Sequence, residues 1–317
     1  MTPLFSKIVF GESVIREYST VRIGETIREK VYLRSSSDGP VVDVSRHHWV
    51  LCLDPLVFGV WIDQILENAF DERAFYQMFF RDTICAPGDD PGKGALASVQ
   101  LIPVDKIVET GGSLFLFRLQ SCAVHHISAL RTRLLYWKYY RKPGLSFAKL
   151  KSFAAAYSYP RRVRIVSFRG DDYYNIFPMD LLGECPQAGR YVFGLRHTNL
   201  ALARILAAGK IVVSEIPFGY KETIYKLGSH HSAQPPAIGD LPFATVPSPQ
   251  FAFPIPVWAE NCREIRILRT INLGSHMLMW GEPIGEAILN PVTDHLHHIH
   301  FLLYLHQRDK GIEYPPA

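Results

Sequence analysis

Cysteine is scarce in this sequence and carries no pattern. Cys52, Cys85, Cys122, Cys185 and Cys262 are scattered, odd in number and without a C-x-x-C pair, which argues against a disulfide framework and against a cysteine zinc site. No uninterrupted apolar run approaches the length needed to cross a bilayer, and the first residues lack the basic-then-apolar pattern of a secretory signal. A cytoplasmic, reducing setting with no membrane partner is the resulting expectation. Charge of one sign is also in short supply. The formal net charge of +4 permits an anionic ligand without demanding a nucleic acid, so no nucleic-acid partner is expected.

What is present is a globular composition, with 48% hydrophobic and 20% charged residues over 317 positions, enough for two domains that each bury a core. The most informative stretch is Tyr159 to Glu215. Val163–Phe168 reads as a strand, Gly170-Asp171-Asp172 as a turn, and Tyr173–Met179 as the returning strand. Pro178 lacks a backbone donor and suits an edge or a bulge. Tyr191–Leu195 is a third strand that runs into Arg196-His197-Thr198-Asn199. Thr198 or Asn199 is an N-cap candidate for a short helix carrying Leu202, Ile205 and Leu206, and Gly209 is placed for a left-handed C-terminal cap. The start of that helix, with its free amides and positive dipole end beside Arg196, His197 and Thr198, has the chemistry of a phosphate site. Ile211–Glu215 then forms a buried strand closed by Pro217.

Three runs carry a family resemblance: Asn-x-x-Pro-Met at Asn175 to Met179, Val-Phe-Gly-Leu-Arg-His-Thr-Asn at Val192 to Asn199, and Gly274-Ser275-His276 followed by Gly281-Glu282. In order and spacing the second half of the chain resembles the flavin reductase-like proteins with an FMN-binding split β-barrel, which include the flavoredoxins. One position departs from that pattern. The family's Gly-Asp-His, associated with the dinucleotide side of its site, is Gly274-Ser275-His276 here.

The resemblance implies a mainly β (α+β) fold with short helices and FMN as cofactor. It also implies hydride or electron transfer from NAD(P)H, or from another small-molecule donor, to an unidentified acceptor. On that implication Asn175, Ile176, Phe177, Pro178, Met179 and Asp180 line the isoalloxazine. Arg196, His197, Thr198 and Asn199 hold the phosphate, Ser214 lies near the flavin, and His276 faces the donor side. The alternatives are a carrier or sensor that binds FMN or haem without turnover, and a purely structural protein on the same fold.

The first half repeats this grammar. Val31–Arg34, a turn at Ser36–Gly39 and Val41–Ser45 read as a hairpin, and Leu56–Ile62 as an apolar strand. Val41–Val44 matches Tyr173–Ile176, Val57–Val60 matches Val192–Leu195, and Gly112–Phe117 matches Gly274–Met279, in one order. Two tandem split-barrel copies are therefore expected, a degenerate one over 1–130 and an FMN-binding one over 159–317, joined by a basic and aromatic helical linker over 131–158. Family members pair as homodimers, so the chain forms either an intrachain pseudo-dimer or a homodimer. The first copy has Ile62-Asp63-Gln64-Ile65 where the second has Arg196-His197-Thr198-Asn199, so one flavin per chain is expected.

The remaining expectations are local. Lys7–Phe10 reads as a weak strand and Asp71–Phe80 as a helix. Residues 219–256, rich in Pro, Ser, Gly and His, read as a long loop serving as a lid, a cleft wall or a structural cover. His295, His297, His298, His300 and His306 crowd the C-terminal stretch, with His297 and His300 on one side of a helix. No Cys or carboxylate set accompanies them at ligand spacing, so they read as surface residues and no metal site is expected.

Overall fold

The computed structural model describes residues 18–24, 26–35, 39–68, 70, 74–140, 144–291 and 294–312. After β1 (Tyr18–Ile23), seven strands make the first large sheet: β2 (Lys30–Ser35), β3 (Val41–Asp43), β4 (His48–Leu53), β5 (Leu56–Asp63), β6 (Tyr76–Arg81), β7 (Ala97–Glu109) and β8 (Gly112–Val124). They pair antiparallel in the order β3-β2-β6-β7-β8-β5-β4. Val31 and Leu33 of β2, Val50 of β4, Phe58 and Val60 of β5, Phe80 of β6, Val99 of β7 and Phe117 of β8 all meet in one apolar cluster. A sheet brings one face of every strand together in this way only by rolling around its core. The edge strands β3 and β4 do not pair with each other, so the barrel is split. A single short helix, α1 (Gln64–Glu67), follows β5.

Between the two large sheets the chain is mostly helical. Ser128 accepts from the Arg131 amide to start α2 (Ala129–Leu135), a π-helical turn covers Tyr136–Tyr140, and Ser146 caps α3 (Phe147–Ala156) by accepting from the Lys149 amide. The break between them includes Gly144, at φ +82°.

The second large sheet follows the two-residue strand β9 (Arg161–Arg162) and contains β10 (Arg164–Arg169), β11 (Tyr174–Met179), β12 (Leu182–Cys185), β13 (Arg190–Arg196) and β14 (Lys210–Glu215). After the small hairpin β15 (Thr245–Pro247) and β16 (Pro254–Pro256), it is completed by β17 (Asn261–Asn272) and β18 (His276–Ile288). Its order, β11-β10-β14-β17-β18-β13-β12, is that of the first sheet strand for strand. Pro178 lies on β11, an edge strand, as its missing donor requires.

Even the irregularities correspond. In the β7–β8 hairpin, register shifts fall between Gln100 and Leu101 and between Pro103 and Asp105; in β17–β18 they fall between Glu264 and Ile265 and between Ile267 and Arg269. Matching these bulges places Asp63, opposite Gly112, on Arg196, opposite His276. The equivalence read from residue runs, which set Gly59 on Gly194 and Gly112 on Gly274, is out of step by two residues. A Val-Phe-Gly run looks the same wherever it falls along a strand, whereas a bulge fixes the register.

The two units pack through a seam in which β4 lies against β13 and β18. Trp49, Leu51, Trp61 and Leu116 from the first unit meet Val192, Leu278 and Trp280 from the second. Two glycines make the approach possible. A Cβ on Gly183 would fall 1.6 Å from Trp49 Nε1, and one on Gly194 would fall 1.8 Å from the Leu51 carbonyl oxygen. In the bulge-matched register Trp49 is equivalent to Gly183 and Trp61 to Gly194, so the first unit carries an indole at both positions where the second carries a glycine.

A third, small sheet has the order β1-β19-β9, where β19 is His295–His300, and it brings the first described strand against the last. This corrects the reading of the histidine stretch. His297 and His300 are buried on a strand rather than exposed on a helix, and the final helix α6 begins only at Phe301 (Phe301–Asp309). Residues 219–256 are also more ordered than expected, with α5 (Lys221–Leu227) and a 3-10 turn over Gly228–His231. In the expected helix over 71–80, residues 76–80 belong to β6, where Tyr76, Met78, Phe79 and Phe80 are buried between two neighbouring strands. Burial on both faces of a central strand outweighs the local pattern. The strand expected at Lys7–Phe10 lies outside the described residues. No helix among the described residues is long and apolar enough to cross a membrane.

Two outcomes are expected. Gly194→Ala drives a methyl into a backbone carbonyl that cannot move without parting the units, and should lower stability by about 1–3 kcal/mol or more in urea unfolding; unchanged stability would rule out the tight seam. Five buried histidines and the half-buried His126 have pKa values lowered from 6.5 by desolvation: His48 well below it, His126, His276 and His295 to about 4, and His297 and His300 to about 3. Below pH 6.5 the unfolded chain takes up protons that the native chain refuses. Stability is therefore complete above that pH and should fall steeply from pH 6.5 towards 4 in calorimetry, whereas a flat Tm would refute the burial of these rings in neutral form.

Candidate functional site

A cleft of about 520 Å³ lies at the seam, beside the predicted residues. Its floor is the end of β11, Pro178 and Met179, followed by Asp180 and Leu181, beside the end of β13, Leu195 and Arg196. Thr198, Asn199 and His276 complete one end. Ile224 and Tyr225 of α5, with His231, form a wall. Leu296 and His298 of β19 and Tyr157 after α3 form another, and Leu53 reaches in from the first unit. The cleft is therefore built by both halves of the chain.

Of the residues singled out from the sequence, the fold brings Pro178, Met179, Asp180, Arg196, Thr198, Asn199 and His276 to this cleft. The others point elsewhere. Asn175 is buried and donates from Nδ2 to the Tyr173 hydroxyl (2.9 Å) and the His230 carbonyl (3.0 Å). Ile176 and Phe177 pack into apolar clusters. His197 is exposed and bonds Asn272 Oδ1 at 3.1 Å, and Ser214 is buried on β14 with no partner for its hydroxyl. Strand alternation separates these side chains in ways that a contiguous motif conceals.

The phosphate-side expectation needs one correction. Helix α4 (Leu202–Ala208) starts at Leu202 after Ala201, which gives no side-chain cap, although Gly209 does adopt the left-handed cap at φ +64°. The amides before the helix are already engaged: Ala201 donates to Asn199 Oδ1 (2.8 Å), Asn199 to the Arg196 carbonyl, and Leu200 to the His231 carbonyl. The amides of Asn199, Leu200 and Ala201 are thus not offered to a ligand. Asn199 Nδ2 donates to His231 Nδ1 (2.8 Å), whose Nε2 in turn donates to the Pro178 carbonyl (2.8 Å). Burial lowers the His231 pKa, so this neutral ring is a strut of the wall. Arg196 and Thr198 are exposed, and neither makes a side-chain bond to another described residue.

His276 stands opposite Arg196 across the β13–β18 ladder. Burial, with Arg196 and His197 adding repulsion, lowers its pKa to about 4. Ser275 Oγ accepts from the Asp54 amide (3.0 Å) and lies 2.8 Å from His276 Nδ1. Donation of the serine proton to Nδ1 leaves the imidazole proton on Nε2, a buried atom with no partner. Gly274, at φ +113°, sits against Asp54 and Pro55, with a hypothetical Cβ 2.6 Å from Pro55 Cδ. Ser275 thus ties the turn to the first unit and orients His276.

Asp180 anchors the opposite wall. Its Oδ2 accepts from the Tyr157 hydroxyl and from His298 Nδ1, both at 3.0 Å. Burial pushes its carboxyl up, but those hydrogen bonds and the Arg161 charge hold it below the usual range. Tyr157, His231 and His298 had no signal in the sequence, since they lie in a linker, a segment read as loop and a histidine-rich stretch. Among the described residues no group of three His, Cys, Asp or Glu side chains could hold a metal ion.

No protein-family model and no curated protein matches the chain. Among solved structures, it is similar to an FMN-binding protein from Thermus thermophilus with bound 1-cyclohex-2-enone, at 22% identity and a TM-score of 0.39 over 48% of this chain and 80% of that one. It is also similar to BorF, the flavin reductase component of a bacterial two-component tryptophan halogenase, at 14% identity and a TM-score of 0.39 over 44% and 86%. A third is a flavoredoxin from Methanosarcina acetivorans, at 13% identity and a TM-score of 0.36 over 41% and 69%. Each likeness spans less than half of this chain.

Proposed function

We propose that the seam cleft binds FMN and that the chain is a flavin reductase-like oxidoreductase. The observation that carries this reading is the cleft itself: a mostly apolar slot of suitable size for a cofactor, with the Arg196 guanidinium and Thr198 hydroxyl at one end and a bare His276 Nε2 beside them. Arg196 and Thr198 take the phosphate through charge-assisted hydrogen bonds. Pro178, Met179 and Leu181 pack on the ring, and His276 Nε2 offers it a proton donor. FMN bound there supplies hydride chemistry between a nicotinamide or other donor and an acceptor, while the protein contributes orientation and exclusion of water.

The two halves fit an internal duplication with boundaries at 1–130, 131–158 and 159–317, in which the seam replaces a homodimer interface. Asp63 and Gly112 stand where Arg196 and His276 stand, so the first half lacks both the cation and the imidazole, and one flavin per chain follows. A second reading, an FMN carrier without turnover, is favoured by Ser275, which is committed to Asp54 and His276 rather than offered to a dinucleotide.

Visible spectra with added FMN, followed by anaerobic NADH and NADPH, separate these readings. Flavin bands that bleach support the reductase, bands that persist support the carrier, and a protein that takes up no FMN rejects both. Arg196→Ala with Thr198→Ala should weaken FMN binding by about tenfold or more, since each charge-assisted contact contributes about 1.5–3 kcal/mol. Asp63→Ala should leave it unchanged. Equal affinities for the double variant and the parent in a fluorescence titration would overturn the phosphate placement.

A further inference from the structure

Behind Asp180 lies a second cavity, of about 470 Å³, that the flavin reading does not use. Asp180 lines both spaces. The second is rimmed by four guanidinium groups, Arg46, Arg161, Arg162 and Arg164, and by the carboxylates Asp180 and Glu184. Two of the arginines are paired with two carboxylates: Glu215 meets Arg162 at 2.7 Å and Arg164 at 2.6 Å, and Glu260 meets Arg162 at 3.7 Å. Glu184 is drawn to Arg263 at 3.4 Å, and Asp180 accepts from Tyr157 and His298.

Arg46 and Arg161 remain, with no ion pair to any described residue. Arg161 is only 5% exposed. It makes one hydrogen bond, from Nη2 to the Ala156 carbonyl (3.0 Å), and its buried Nε has no partner. Burial lowers its pKa to about 10, so it stays cationic at neutral pH. A buried cation in this condition is costly unless an anion meets it.

His48 supplies the second observation. Its ring packs against Tyr159 at 4.7 Å, and the Arg161 guanidinium lies 6.0 Å from the same tyrosine ring. His48 Nδ1 bonds the Val44 carbonyl at 2.8 Å, and burial keeps the ring neutral, which leaves Nε2 as a buried acceptor with no donor. The cavity therefore presents an exposed cation at Arg46, a buried guanidinium at Arg161 that faces the Asp180 charge but keeps an Nε with no partner, and one unused acceptor at His48. A phosphate monoester, near −2 at neutral pH and with three acceptor oxygens, can accept from both the Arg46 and the Arg161 guanidinium groups. The volume exceeds what a bare phosphate fills, and a hydroxyl on the ester's carbon frame would satisfy His48.

We propose that this cavity is a binding site for a small phosphate ester bearing a hydroxyl group, with the phosphate held by Arg161 and Arg46 and the hydroxyl donated to His48 Nε2. The site is independent of the flavin reading. Titration calorimetry of the full chain with ribose 5-phosphate and with inorganic phosphate, at constant ionic strength, tests it. Saturable binding of ribose 5-phosphate is expected, weakened about tenfold by Arg46→Ala and by Arg161→Lys and unchanged by Arg196→Ala. Because Arg46 is exposed, Arg46→Ala remains decisive should Arg161→Lys fail to fold. Tighter binding of the ester than of inorganic phosphate identifies the ester as the ligand, and equal binding identifies the free anion on the same arginines. No saturable binding, or binding lost in Arg196→Ala but intact in Arg46→Ala, overturns the proposal; the latter would assign the phosphate to the cleft.

Discussion

The close approach of β4 to β13 is the contact on which the rest depends. Trp49 occupies the space above Gly183, and the Leu51 carbonyl occupies the space above Gly194. A side chain at either glycine would push the two sheets apart, and with them Leu53 and the Asp54–Pro55 turn. That turn is what Ser275 and Gly274 rest on, and Ser275 in turn orients His276. Packing at the seam thus reaches the polar end of the cleft through one short chain of contacts.

The same seam explains why two similar units need not be alike. Their strand order and bulges match, but matched positions carry Trp against Gly at two places and Asp against Arg at a third. A symmetric pair would have to bring identical residues together at its axis, where two indoles clash and two glycines leave a void. Joining both units in one chain lifts that restriction, and each side of the interface can take its own residue.

Much of the fold was legible because it was local. The Gly170–Asp172 turn, the left-handed cap at Gly209, the edge position of Pro178 and the helical linker each follow from backbone chemistry within a few residues. The cleft was legible where a strand ends at it, as at Pro178–Asp180 and Arg196–Thr198. It was illegible where it is completed from afar: Leu53, Tyr157, His231 and His298 come from four separate segments, and no spacing rule connects them. Corresponding strands can be matched by residue runs, but the register is missed, since a run such as Val-Phe-Gly does not show where a bulge falls. The buried histidines of β19 read as surface because polarity was taken for exposure, whereas a neutral imidazole bonded to the backbone is at ease in an interior.

The pairing of β1 with β19 also sets a clock. Among the described strands β1 is made first and its partner last, and at 5–20 residues per second the chain between them takes on the order of 15–60 s to synthesise. For that interval β1 has an open edge, and Leu296 and His298, two wall residues of the cleft, do not yet exist. The first barrel can close during synthesis, but the cleft becomes complete only after β19 has been made.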